Sequence, residues 1–364
     1  MPASTRCGHH ASMDLAPPPT QRRAGAGLAR STMVVLVALV VLAAIGSLGL
    51  TGGRPPGDPA TAHAAAAWSR SACGNDEATP APWKHVVWIW LENRAYGDVF
   101  APGSDFAFLR TRVARDCASL DSMRALQHAS LGNYIAAMTG SAAGVRGGCA
   151  PAACPIDREN LLGQVRAAGL EWRSYQEGLT RRCHGRDDGS YLVRHDPAPY
   201  LTREHDDCKR WDVPLGTLDT GPLAAALDTA ELPAFAFVTP NACDGGHDCG
   251  DGRADAWLDR WLSRLTSSNA YARGDVAIVV SWDEGRRAAA DVPINAPCPT
   301  VQLRDDCHIP TFVIAPGVPR GARIATPADH VTLLQLTEAM LDLPRLGQPR
   351  PEVRSLGRQL RVLA

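Results

Sequence analysis

A mostly parallel α/β sheet with helices on both faces is the fold class this sequence predicts, and three observations carry it. Four nearly continuous apolar runs, 85–91, 235–239, 275–282 and 311–315, are rich in β-branched residues and read as strands covered on both faces. Helical patterns fall between or after them, at 131–138, 159–169, 254–265 and 331–343. The strand ends are polar: Glu92-Asn93 follow the first run, Pro240-Asn241 and then His247-Asp248 the second, and Asp283-Glu284 the third. Ligands in open α/β sheets bind beyond the carboxyl ends of strands, so three such ends predict one convergent site.

Ahead of these elements the chain divides by composition. Residues 1–31 read as a disordered cytoplasmic leader. Residues 32–51 hold MVVLVALVVLAAIGSLGL (33–50), an uncharged run long enough to cross a bilayer, which needs about 20 apolar residues. Arg22, Arg23 and Arg30 precede it, so the positive-inside rule keeps the leader in the cytoplasm and exports the rest of the chain. Ala62-His63-Ala64 has the form of a signal-peptidase site, so the segment is either a retained anchor or a cleaved signal. Residues 52–81, rich in Pro, Gly and Ala, read as a linker, 82–350 as the catalytic domain and 351–364 as a C-terminal tail.

Cysteine placement agrees with export. Cys7 falls in the leader and the other ten lie beyond the apolar run, an even number suited to disulfides in an oxidising compartment. No CxxC pair is present to build a zinc site. Sequence neighbours suggest Cys149–Cys154, Cys183–Cys208, Cys243–Cys249 and Cys298–Cys307, leaving Cys73–Cys117. The formal charge of the whole chain is −1, but residues 51–364 contain 33 Arg and Lys against 37 Asp and Glu. Bulk attraction to nucleic acid is therefore excluded, and an anionic substrate must be captured by a local site.

The residues at the strand ends suggest what that site holds. Glu92, Asn93, Asp283 and Glu284 offer three carboxylates and an amide oxygen, a hard donor set suited to a divalent cation. Neighbouring residues of a regular strand point to opposite faces, so each pair converges only where its strand has broken into loop. Ser130 precedes a helical run and reads either as an N-cap or as a hydroxyl at an anion-binding helix start. Held beside a metal, that hydroxyl would attack a bound phosphorus. His247-Asp248 lie in a loop closed by Cys243 and Cys249, either as solvated polar residues or as a phosphate ligand and proton donor. His195 and His330 read as structural when taken alone.

The runs VVWIWLENRAYGDVF (86–100), HASLGNYIAAMTG (128–140), SYQEG (174–178), YLVRHDPAPYL (191–201), FVTPNACDGGHDC (237–249), DAWL (255–258) and VVSWDEG (279–285) occur together in this order. Over about 85–343 the chain thereby resembles the bacterial and fungal phosphoesterase family, which holds acid phosphatases and phospholipase C-type enzymes within the alkaline-phosphatase-like superfamily. The resemblance implies an alkaline-phosphatase-like fold. It also implies a metal on Glu92, Asn93, Asp283 and Glu284 supported by Asp248, a metal-linked nucleophile in Ser130, and His195 and His247 at the phosphoryl oxygens or the proton. Where the family usually has prolines around the nucleophile, this chain has Ala129 and Gly132. A sulfatase is not expected, because Ala153 stands where C/S-x-P-x-R needs its arginine. The expected function is an exported, metal-dependent phosphomonoesterase acting on small phosphate esters. A phospholipase C-like diesterase acting on phospholipid headgroups is the alternative, and a membrane-anchored binding protein is the second.

Overall fold

The computed structural model describes residues 67–76, 83–286, 293, 296–299 and 304–364, all within one compact unit, Ala60–Ala364. The leader and the apolar run at 33–50 lie outside the described residues. Among those described, no helix is long and apolar enough to cross a membrane.

Strand β1 (His85–Leu91) is the centre of the sheet, and its side chains show why both faces must be covered. Trp88 donates its indole N–H to Thr337 Oγ1 at 3.0 Å, and the Trp90 ring lies 5.0 Å from Tyr134 and 4.7 Å from His330. These contacts bring helices Ser130–Thr139 and His330–Met340 onto one face. Leu91 is in register with Trp282, whose ring meets Phe106 edge-on at 5.7 Å on the other face. Alternating large apolar residues on a strand need apolar layers above and below.

The remaining strands are β2 (Ala118–Leu120), β3 (Met123–Arg124), β4 (Trp172–Gln176), β5 (Asp212–Pro214), β6 (Phe235–Thr239), β7 (Val276–Trp282), β8 (Thr311–Ile314), β9 (Arg323–Ile324) and β10 (Ala328–Asp329). The main sheet runs β5-β4-β6-β1-β7-β8-β2-β9, while β10 pairs with β3 apart from it. Every pairing in the main sheet is parallel except the two made by β8, with β7 and with β2. The carboxyl ends of β4, β6, β1 and β7 therefore lie along one edge, as the fold class requires. Strands 85–91 and 235–239 match expectation residue for residue. Strand β4 was legible only as a motif, because Ser174 and Gln176 point into a buried polar network with Asp196 and Thr239 instead of an apolar layer.

Five disulfides join the pairs that sequence proximity suggests, including Cys73–Cys117 across 44 residues. They support an extracytoplasmic chain. Two boundaries need correction. The linker expected over 52–81 has a packed segment within it: Trp68, Ala72 and Cys73 are buried, Trp68 donates to Asp116 Oδ2 at 3.1 Å, and the disulfide pins the rest. The C-terminal tail at 351–364 also holds packed residues. Val353–Gln359 is a helix, and Val353, Leu356, Leu360 and Val362 enter the core because their apolar spacing needs cover.

Candidate active site

The site is assembled at the edge where β1, β6 and β7 end. β1 stops after Leu91, and Asn93 takes a left-handed φ of 53°, so Glu92 and Asn93 leave the alternating pleat. The Asn93 amide then donates to Asp283 Oδ1 at 3.1 Å, tying the end of β1 to the end of β7. After Glu284 the chain passes close to residue 306. A side chain at Gly285 would come within 2.6 Å of the Asp306 carbonyl oxygen, so only glycine fits. With the strands ended, both members of each pair leave the pleat, and Asn93 and Glu284 line one cavity.

Glu92, Asp283 and Glu284 are all buried. Burial pushes the Glu92 carboxyl up to about 7, against the hydrogen bond from Tyr134, and the Glu284 charge adds to the rise. Burial also drives Asp283 well above the usual carboxylate range, with the Glu92 and Glu284 charges pushing the same way. Asp283 Oδ2 has no hydrogen-bond partner among the described residues. Three crowded carboxylates with an orphaned buried oxygen are a hard acceptor set that fits a divalent metal.

Ser130 is not the helix cap. The N-cap is Ala129, at φ 79° and ψ 114°, and no side chain caps this helix. Ser130 Oγ instead lies 3.2 Å from Glu92 Oε2 and 3.4 Å from Glu284 Oε1, donating into the carboxylate cluster. The Ala129 amide donates to Glu284 Oε2 at 3.0 Å. A φ of 79° also excludes a proline at 129, so this turn is built differently from the proline-flanked one the resemblance implies.

His195 lies with its Nε2 3.1 Å from Glu92 Oε2, though without a hydrogen bond's alignment, and its ring stacks on Tyr134 at 5.6 Å. Burial lowers its pKa well below the ordinary imidazole value, and the neighbouring Arg194 charge adds to that, so the ring is neutral. Tyr134, one turn beyond Ser130, donates its hydroxyl to Glu92 Oε1. His247 puts Nδ1 2.5 Å from Asp248 Oδ1 and Nε2 3.2 Å from an Arg194 guanidinium nitrogen. Asp248 is thus not gathered with the other proposed ligands. Its side chain is 62% exposed and serves His247. His330, read as structural, is buried with Nε2 3.0 Å from the Trp282 carbonyl oxygen.

A cavity of about 370 Å³ opens over this arrangement, lined by Asn93, His128, Ser130, Arg194, His247 and Glu284 among others. Two of these carry no signal of their own in the sequence. Arg194 immediately precedes His195, and His128 stands two residues before Ser130, so both sit inside motifs whose other members draw the eye. His128 Nδ1 is 2.8 Å from Glu284 Oε2 and its Nε2 is 3.0 Å from Asp306 Oδ2. Burial works against a charged ring, but the two carboxylates outweigh it and raise the His128 pKa. His128 also lies near Cys298 and Cys307, but both sulfurs are in a disulfide and cannot ligate as thiolates.

The model of the phosphoesterase family matches residues 105–344. The chain belongs to the phosphoesterase family. Members of this family hydrolyse phosphoric esters, and the buried carboxylates and the serine lie within or beside the matched span. The chain is 24% identical over 277 residues to a Kluyveromyces lactis protein named "Probable acid phosphatase", covering 74% of this chain and 60% of that one. It is 26% identical over 273 residues to a phosphatidylinositol-3-phosphatase of Mycobacterium tuberculosis, covering 72% and 78%. Among solved structures, the lipoteichoic acid synthase LtaP of Listeria monocytogenes superposes with a TM-score of 0.50 at 11% identity. That likeness covers 73% of this chain and 74% of that one, and it speaks to the fold alone.

Proposed function

We propose that the chain is an exported, metal-dependent phosphomonoesterase that uses Ser130 as its nucleophile. One observation carries the reading: the Ser130 hydroxyl is turned away from capping its helix and into Glu92 and Glu284, at the floor of a cavity also lined by Arg194 and His247. Glu92, Asn93, Asp283 and Glu284 would hold a divalent cation, which supplies charge neutralisation and Lewis acidity beside the serine when bound.

Glu92 and Glu284 hold the Ser130 hydroxyl and accept its proton as Oγ attacks. The Oγ–P bond forms as the ester P–O bond breaks, and the alcohol leaves with a proton. Water then attacks the phosphoserine, the Oγ–P bond breaks, and inorganic phosphate departs as the hydroxyl is restored. Arg194 offers its guanidinium fork to the phosphoryl oxygens. His247, with Nδ1 on Asp248 and Nε2 accepting from Arg194, keeps that fork in place; once the phosphoryl oxygens take that Arg194 N–H, Nε2 is free to pass a proton from solvent to the leaving alcohol. His195, neutral and packed on Tyr134, steadies Glu92.

The full chain should hydrolyse 4-nitrophenyl phosphate with a divalent cation present, and Ser130→Ala should lose roughly 10³-fold or more in kcat while keeping its fold. Full activity in that variant would end the serine mechanism. Turnover of bis(4-nitrophenyl) phosphate alone would replace the monoesterase with a phospholipase C-like diesterase. Cation binding without turnover of either ester would leave a binding protein.

A further inference from the structure

A second cavity, of about 390 Å³, lies apart from the candidate active site and has a different chemistry. Four permanent cations, Arg181, Arg182, Arg186 and Lys209, line it together with His184 and His205, and no acidic residue is among its lining. The sequence holds these cations in two separate short runs, RRCHGR (181–186) and CKR (208–210). The Cys183–Cys208 disulfide, with 5.3 Å between Cα atoms, sits inside both runs and fastens them face to face. Like charges so confined repel unless something neutralises them.

The carboxylates that flank the runs are partly spent elsewhere: Asp187 lies 3.6 Å from Arg194 and Asp207 2.9 Å from Arg166. Arg181 spends its Nε–H on His184 Nδ1 at 3.1 Å and Arg182 donates to the Arg210 carbonyl oxygen at 3.1 Å, both uncharged acceptors. Arg186 makes no ion pair among the described residues. Lys209 meets Asp206 at 3.2 Å, but that carboxylate is 97% exposed and screened. Asp188 stands 3.9 Å from His184. Most of the guanidinium N–H donors are left facing solvent, and arginine forks match phosphate oxygens better than lysine does.

We propose that this disulfide-clamped basic pocket is a second binding site for clustered phosphate groups, distinct from the cavity over Ser130. Residues 51–364 hold 37 acidic groups against 33 basic ones, so attraction of a polyanion rests on local clusters such as this one and not on the net charge. It also adjoins the active-site wall. Asp187, next after Arg186, lies 3.6 Å from Arg194, which lines the catalytic cavity. A ligand bearing several phosphates would be drawn to the pocket and held near the cavity mouth. A free polyphosphate and a phosphate-bearing lipid surface present the same chemistry.

Binding is read on the full chain, so the outcome does not depend on turnover or on the serine mechanism. Ser130→Ala serves as the background, and Arg181→Glu/Arg186→Glu is added to it. Inorganic tripolyphosphate titrated by calorimetry should bind at least about tenfold more weakly to the charge-reversed chain, and binding to both should weaken with salt. Cosedimentation with phosphatidylcholine vesicles, with and without phosphatidic acid, forms the second arm. The apolar run at 33–50 is common to both chains, so their difference reports the pocket. Loss in the vesicle arm alone identifies a lipid surface, and loss in the tripolyphosphate arm alone a free polyanion. In the Ser130 wild-type background the same two substitutions should leave 4-nitrophenyl phosphate hydrolysis within about twofold. Equal binding by the two chains in both arms overturns the proposal. So does a parallel fall in hydrolysis, which would make the pocket part of the catalytic cavity.

Discussion

Ser130 Oγ stands 3.2 Å from Glu92 Oε2, although 38 residues separate them and one begins a helix where the other ends a strand. The contact exists because β1 breaks at Asn93 and the helix start is left without a side-chain cap. It puts a hydroxyl at the edge of three buried carboxylates that repel one another. Removing divalent cations with a chelator should therefore abolish ester hydrolysis and lower the melting temperature together, and restoring the cation should recover both. Glu92→Gln should weaken cation binding by about tenfold or more, read by calorimetry. Unchanged melting with and without the chelator would contradict a metal at this cluster.

Ala129 carries the strain of the turn. A β-carbon at φ 79° costs on the order of 1 kcal/mol or more, and glycine has none. Ala129→Gly should stabilise the fold by up to about 1 kcal/mol in urea unfolding, after the extra freedom of glycine in the unfolded chain is offset. A clear loss of stability would show that the turn is not strained.

Asp306 acts through another residue. It grips His128 Nε2 at 3.0 Å while the opposite ring nitrogen faces Glu284, making a carboxylate–imidazole–carboxylate chain that ends at the serine. If Ser130 is the nucleophile, Asp306 acts on it only through His128, so Asp306→Asn should lower kcat by about tenfold and leave KM nearly unchanged. An equal rise in KM with constant kcat would place the effect in substrate binding instead.

Glu338 gives a pH dependence of stability far from the active site. Burial pushes its carboxyl up to about 8, against the Leu346 amide that donates to Oε1 at 2.9 Å, and Oε2 has no partner among the described residues. Folding thus favours the protonated form. The stability this contributes is complete below the ordinary carboxylate range and disappears as pH rises through about 8. Glu338→Gln cannot ionise but keeps an acceptor for Leu346. It should come within about 1 kcal/mol of wild type at pH 5 and exceed it by about 2–4 kcal/mol at pH 8 in denaturant unfolding.

Much of the fold was legible because its central strands are covered on both faces. HVVWIWL and FAFVT cannot be anything but buried, so their apolar runs mark their limits. The strands that stayed hidden, such as Trp172–Gln176 and Asp212–Pro214, turn polar side chains into a buried network or lie at the sheet edge, where alternation carries no signal. Of the candidate site, the motifs revealed the carboxylates and the serine. Arg194, His128 and Tyr134 stayed hidden because each is defined by its partner and not by its neighbours in the chain.

By itself the sequence determined the parallel α/β class and which strand ends carry the carboxylates, because burial pattern is a local property, and its neighbouring cysteines suggested the pairs that the fold joins. Tertiary structure decided the rest. It ended two strands so that adjacent residues converge, turned the Ser130 hydroxyl at its helix start toward Glu92, and set Asp248 against His247. It also brought two short basic runs together behind one disulfide. Those outcomes depend on distances between residues far apart in sequence, and only the folded chain sets them.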